Sequence, residues 1–171
     1  MRTPTYEQED EFLRESNAIE GVHDQGSLLD AHAAWDYLHT RKKLTIPAVL
    51  KVHELLMVNQ PIPSHSLGWW RSCRIFIGRS EGLNWQYIPS AMEEWVNKMN
   101  MDLDFASTAE DREKTSRSLH VEYEKIHPFI DGNGRTGRMF MNWHRLQHKM
   151  PLLIIHEGEE QMEYYKWFNE D

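Results

Sequence analysis

"HPFIDGNGRTGR", residues 127–138, compresses one histidine, one aspartate, one asparagine, three glycines and two arginines into twelve positions. It lies between two stretches with helical periodicity. Before it, Leu119, Tyr123 and Ile126 recur at helical spacing; after it, "GRTGRMFMNWHRLQHKM" continues as a second helix that stops before Pro151. The stretch is therefore a turn joining two helices, and its residue types decide whether it is only a turn. Gly132 and Gly134 flank Asn133, and glycine is what a backbone requires when it bends sharply with its N–H groups facing a ligand. Such a turn running into a helix is an anion nest, because unpaired amides and the helix dipole both favour negative charge. Arg135 and Arg138, three apart, project from neighbouring positions near the helix start, and a guanidinium fork suits phosphate.

Asp131 adds a hard carboxylate, enough for a magnesium ion whose other ligands are water and phosphate oxygens. His127 supplies an imidazole that can take a proton from a hydroxyl near neutral pH. Pro128 stiffens the helix exit and Phe129 anchors the loop to the core. Each residue also has a structural reading: G-N-G turns followed by surface arginines are common, and most histidines are satisfied core groups. A P-loop is excluded, since no G-x-x-x-x-G-K-[ST] pattern occurs.

A chain of 171 residues suits one globular domain, 1–171. Its 40% hydrophobic content, with seven Trp, six Tyr and six Phe, is too apolar for a disordered segment. The formal charge of −8 supplies no counterion-release drive for nucleic acid, although one basic pocket remains compatible with it. The single cysteine, Cys73, excludes an intrachain disulfide and a cysteine-only metal site, and reads as a small buried hydrophobe. No apolar run is long enough to span a membrane and the start lacks signal-peptide character, so the expected setting is cytoplasmic, with no membrane partner.

The periodicity predicts an all-α fold of about seven helices and one hairpin. Residues 6–20 read as the first helix, ended by Gly21. Ser27 reads as the N-cap of a second, with Leu28, Ala31, Trp35 and Leu38 on one face. Thr45 caps a third, with Pro47 in its first turn and Val49, Val52, Leu55 and Leu56 as its stripe up to Asn59. "CRIFIG" (73–78) and "WQYI" (85–88), separated by "RSEGLN", read as two strands of a hairpin or as an ordinary loop. After Pro89, Met92, Trp95, Val96 and Met99 mark a helix. Ser107 with Glu110 reads as the capping box of the next, and residues 157–170 supply the last helical candidate.

At this point the motif resembles the signature of the Fic family of protein adenylyltransferases, H-x-F-x-[D/E]-G-N-G-R-x-x-R, matched at every fixed position from His127 to Arg138. The resemblance implies a helical domain that transfers AMP from ATP to a hydroxyl side chain of a target protein and releases pyrophosphate. On it, His127 would deprotonate the hydroxyl, Asp131 would hold Mg2+, and Gly132, Asn133 and Gly134 would cradle the phosphates. Arg138 would bind the outer phosphates and Arg135 would support the same region. Residues 69–89 would form a flap that docks the target in extended form, with Ile77 and Gly78 near the nucleotide or target and Trp70 to Arg74 leading in. Tyr164 and Tyr165 would line the nucleotide-base pocket.

A second stretch, "SNAIEG" (Ser16–Gly21), is similar to the family's inhibitory pattern [S/T]-x-x-x-E-[G/N], within an N-terminal helical region 6–24. On a helix Ser16 and Glu20 share a face. Glu20 would pair with Arg138, compete with the outer phosphates and hold the enzyme mostly off. Four alternatives stay open at this level: the self as target, removal of AMP from a modified protein with Glu20 positioning a water, transfer of the gamma phosphate, and a non-catalytic module that captures a peptide on the hairpin edge. Homodimerisation suits a small Trp- and Met-rich domain, but periodicity names no interface.

Overall fold

The computed structural model describes residues 3–78, 80–101 and 108–168. Among the described residues there are seven α-helices: α1 (Tyr6–Ala18), α2 (Gln25–His39), α3 (Ile46–Met57), α4 (Ile88–Met99), α5 (Ala109–Ile126), α6 (Asn133–Gln147) and α7 (Glu159–Lys166). Two short strands, β1 (Phe76–Ile77) and β2 (Ser80–Glu81), form an antiparallel pair with Phe76 opposite Glu81. The all-α expectation with a small hairpin flap therefore holds.

α6 is the axis of the fold. Every residue from Arg135 to Arg145 is buried, a pattern expected of a helix surrounded by others rather than lying on a surface. α1, α2, α3 and α5 all pack against it. Phe140 meets Trp95 of α4 edge-on at 5.6 Å and Tyr123 of α5 at 5.5 Å. Phe12, Trp35, Leu38, Val49, Val52 and Leu56 complete one continuous core. A smaller cluster of Ile19, Met141, Ile155 and Tyr164 packs the end of α1 and the start of the C-terminal segment onto the same helix.

Several local expectations are corrected. The second helix is capped by Asp24, whose carboxylate accepts from the Ser27 N–H at 2.8 Å and the Ser27 hydroxyl at 2.6 Å; Ser27 sits in the first turn, where its hydroxyl serves the better cap. The expected Ser107 cap lies outside the described residues, and α5 carries a Thr108–Asp111 capping box. "WQYI" is not a strand: Asn84 accepts from the Gln86 N–H at 3.1 Å, closing a 3-10 turn that runs directly into α4. The second strand is instead Ser80–Glu81, inside the predicted loop, and Cys73 is exposed rather than buried. Among the described residues no helix is long and apolar enough to cross a membrane.

Candidate active site

The last turn of α5 ends at His127, which adopts a left-handed conformation (φ 49°) as the C-cap. The chain then crosses Pro128 and Phe129 and turns at Gly132 (φ 81°), the N-cap of α6. A Cβ on Gly132 would lie 2.6 Å from the sulfur of buried Met57, so both the backbone angle and the space require glycine.

Buried side chains pin this loop. The Asn133 amide donates to the Phe129 carbonyl and accepts from the Phe129 N–H, both at 2.9 Å. Both ends of the Asn133 amide are thus engaged within the loop, and what Asn133 offers a ligand is its backbone. Thr136 donates to the Gly132 carbonyl at 2.8 Å and lies 2.7 Å from the Tyr123 hydroxyl. His53, buried in α3, accepts from the Gly68 N–H on Nδ1 at 3.0 Å, so its Nε2 carries the proton donated to the Asp131 carbonyl at 3.1 Å. Its ring stacks on Phe129 at 3.8 Å. Burial holds its pKa down at about 4, which keeps it neutral in this role.

The loop lines a cleft of about 120 Å³ with Glu20, His127, Ile130, Asp131, Gly132, Asn133, Gly134 and Arg135 on its walls. His127 Nδ1 lies 3.3 Å from the Glu124 carbonyl oxygen. A carbonyl can only accept, so Nδ1 bears the proton and Nε2 keeps its lone pair. Burial, helped by the Arg71 charge, pushes the His127 pKa below the usual imidazole range, against the raising influence of the Glu124 carbonyl, Glu20 and Asp131. The imidazole is thus a free base at neutral pH.

Asp131 is an exposed carboxylate of the cleft, as is Glu20, but Glu20 is already paired with Arg138. Among the described residues no three His, Cys, Asp or Glu side chains gather as a metal cage. That donor set fits magnesium, which takes one or two carboxylates and completes its shell with water and phosphate oxygens.

Arg138 is buried behind Glu20, outside the residues that line the cleft, and makes four hydrogen bonds. Nε donates to the Ser16 hydroxyl at 2.9 Å and Nη2 to the Ser16 carbonyl at 2.8 Å. Nη2 also meets Glu20 Oε1 at 2.8 Å, and Nη1 the Tyr164 hydroxyl at 3.3 Å. Burial opposes its charge, but Tyr164 and Glu20 more than offset this and hold the guanidinium firmly protonated. The Glu20 carboxylate sits against the first turn of α6 so closely that a Cβ on Gly134 would be 2.2 Å from Oε1. A carboxylate thus already stands over the glycine turn at the start of α6.

The geometry also explains the last position of "SNAIEG". α1 proper ends at Ala18, short of the predicted 20 and 24. It closes with a Schellman motif: Val22 N–H donates to the Asn17 carbonyl at 3.1 Å and Gly21 N–H to the Ala18 carbonyl at 2.8 Å, with Gly21 left-handed at φ 71°. Glu20 is therefore the last residue in helical register, one turn beyond Ser16, and Gly21 is what allows the chain to leave immediately after it.

Not every expected residue joins the cleft. Tyr164 is buried, and its hydroxyl lies between His120 Nε2 at 2.8 Å and Arg138, so it supports Arg138 rather than lining the cleft wall. Tyr165 is half-exposed on α7 and receives a hydrogen bond from Gln161 at 3.0 Å. Ile77 and Gly78 lie at the hairpin turn, outside the cleft wall. Arg135 does join the cleft wall, although it is largely buried against Met57 and Gln60, and its Nε has no protein partner among the described residues.

Sequence reasoning missed three groups. Arg71 and His53 reach the loop from 56 and 78 residues away; the one available signal was a histidine within the apolar stripe of α3. Glu124 is the third. Burial raises its pKa to about 8, with Arg138 opposing and Glu20 reinforcing the shift, and Oε2 stands 3.9 Å from His127 Nδ1.

The sequence profile of the Fic/DOC family matches residues 43–144, more than half of the chain. The chain is 26% identical over 124 residues to "Protein adenylyltransferase fic-1" of Caenorhabditis elegans, covering 72% of this chain and 23% of that protein. It is 27% identical over 136 residues to "Protein adenylyltransferase Fic" of Nematostella vectensis, covering 75% and 29%. The chain thus spans less than a third of the length of these curated relatives. Among solved structures, a Caenorhabditis elegans Fic-1 fragment superposes with TM-score 0.76 at 20% identity, covering 95% of this chain and 55% of that one. A Fic domain containing signaling protein from Bacteroides thetaiotaomicron gives TM-score 0.73 at 18% identity, covering 94% and 69%. These likenesses share the fold.

Proposed function

This chain belongs to the Fic/DOC family, and we propose on that premise that it is a protein adenylyltransferase, transferring AMP from ATP to a hydroxyl side chain of a target protein or of itself, and restrained by Glu20. The observation that carries the reading is the shared cleft: a neutral imidazole, an exposed carboxylate and a glycine turn at a helix start meet in it, and the Glu20 carboxylate stands over that turn.

His127 Nε2 takes the proton of the target hydroxyl as its oxygen attacks the alpha phosphorus of ATP. A phosphoester bond forms, the alpha–beta anhydride bond breaks, and pyrophosphate departs with the bonding electron pair. Nδ1–H stays on the Glu124 carbonyl and holds the ring in orientation as it becomes an imidazolium. The amides of the Gly132–Gly134 turn and the start of α6 receive phosphate charge. Arg138, released from Glu20, takes the outer phosphates, with Arg135 beside it. Asp131 would hold magnesium, which when bound neutralises phosphate charge.

Glu20 blocks this arrangement by occupying the Arg138 fork and the space over Gly134. The flap offers the target its strand edge in the manner of strand addition. Tyr165, on the exposed side of α7, is the tyrosine accessible to a base, while Tyr164 acts through Arg138. The reading carries a cytoplasmic setting.

The test uses Glu20→Gly protein with ATP labelled on the alpha or the gamma phosphate. Label from the alpha position appears on protein, and His127→Ala removes it. Label from the gamma position alone would overturn the reading in favour of phosphoryl transfer. Because Glu20 and His127 line one cleft, release of AMP from a pre-modified target is the second activity to measure; if it requires Glu20, the reaction runs in the opposite direction.

A further inference from the structure

Arg71 is almost wholly buried, at 4% exposure, yet belongs to no expected catalytic set. Its guanidinium makes four hydrogen bonds, all to backbone carbonyls. Nε donates to His127 at 2.7 Å and Nη2 to Ile126 at 3.3 Å, the last carbonyls at the end of α5. Nη1 donates to Cys73 at 2.8 Å and Nη2 to Leu83 at 2.7 Å, one on each leg of the flap. The Arg71 N–H adds a fifth bond, to the Pro128 carbonyl at 2.9 Å. Adjacent Trp70 packs on Phe129 at 5.2 Å, so the whole approach to the flap leans on the catalytic loop.

We propose that Arg71 is a positioning residue that couples the flap to the general base: its planar fork fixes the left-handed His127 backbone from one side and both flap legs from the other, so that docking of a target segment on the hairpin sets the distance between that segment and the imidazole. The inference rests on the adenylyltransferase reading and goes beyond it, because it concerns how the base and the target-docking element are kept in register.

Three physical points support it. The carbonyls at a helix C-terminus have no intrahelical donors, and a left-handed residue other than glycine costs energy, so His127 needs outside partners to keep its geometry. The donor is a single rigid plane, which transmits a displacement of one leg to the other instead of absorbing it. Outside this junction the flap is slight: each strand has two residues, and Phe76 is 71% exposed. A short hairpin of this kind has little rigidity of its own.

Arg71→Lys keeps a positive charge but loses the fork; Arg71→Met keeps bulk and loses both. Each is made in the Glu20→Gly background, with Glu20→Gly as the active parent. Calorimetry measures affinity for ATP with magnesium, label transfer from alpha-labelled ATP gives kcat and the KM for the target, and thermal melts report folding. ATP affinity is expected to stay within about twofold of the parent, because no Arg71 contact reaches the anion nest, while kcat falls by about 10²-fold in both variants, the scale of a misplaced reacting group. In Arg71→Met the acidic limb of the pH profile also moves to higher pH, since a positive charge near His127 is gone; in Arg71→Lys it stays.

Should Arg71→Met fail to fold, Arg71→Lys carries the test. Parent-like kcat in Arg71→Lys overturns the inference, and so does a loss of kcat matched by an equal loss of ATP affinity and melting temperature, the signature of general structural damage. Absence of transfer in the Glu20→Gly parent removes the underlying reading, and this inference with it, and is distinguished by being seen before Arg71 is touched.

Discussion

The loop from His127 to Asn133 and the flap region 69–89 are built in opposite ways. Nearly everything that fixes the loop is buried: the Asn133 amide on both sides of Phe129, His53 on the Asp131 carbonyl, and Thr136 on Gly132. The flap has two paired residues per strand, exposed Phe76 and Ile77, and one buried tether at its base, Arg71. On the reading proposed above, the groups that would meet a phosphate of fixed shape are preorganised, while the element that would accept a protein segment is left adaptable.

The largest effect should come from removing the Asn133 clamp. Asn133→Ala leaves the Phe129 N–H and C=O buried without partners, and a loss of about 2–4 kcal/mol is expected in urea unfolding. A loss below about 0.5 kcal/mol would show that the loop is held elsewhere.

Next comes the pH dependence of the buried side. The folded chain keeps the Glu124 proton up to about pH 8, whereas the unfolded carboxyl, with a pKa near 4.5, releases it far earlier. Between these values the native state binds the extra proton, so this contribution to stability is full below pH 4.5 and is lost as pH rises to 8. Glu124→Gln, neutral throughout, should therefore gain on wild type as pH rises, with the difference in melting temperature widening by roughly 5 °C across that window. A constant difference would place no buried ionisation at Glu124.

The smallest effect belongs to the flap. Phe76→Ala should change stability by no more than about 0.5 kcal/mol, as for most exposed positions. In the Glu20→Gly background it should raise the KM for the target without altering ATP affinity. Large destabilisation would mean that the flap is part of the rigid half.

The same contrast explains what could be read from the sequence. The candidate loop is local: its turn glycines, its histidine and its carboxylate lie within eight positions, from His127 to Gly134, and the helix periodicity on either side frames them. "SNAIEG" could be read only through its likeness to the family's inhibitory pattern, with which the one-turn spacing of Ser16 and Glu20 and the exit at Gly21 agree. What was not legible is long-range or depends on competition between neighbours. Nothing near Arg71 or His53 announces the carbonyls they reach. "WQYI" has strand composition, but the Asn84 side chain closes a turn over it and Pro89 suits the first turn of α4. Asp24 outcompetes Ser27 as a cap by capturing the serine itself. Tyr164 and Tyr165 are adjacent in sequence, yet one points to Arg138 and the other to the α7 surface, a division that only packing decides.

The central claim is that Glu20 occupies the place of the outer phosphates on Arg138. Its most direct measurement is the initial rate of alpha-label transfer to protein by wild type and by Glu20→Gly, at equal saturating ATP and magnesium and with equal melting temperatures verified. Losing a charge-assisted pair of about 1.5–3 kcal/mol corresponds to a rise of roughly 10- to 150-fold on releasing Glu20. Equal rates in the two proteins would contradict the account.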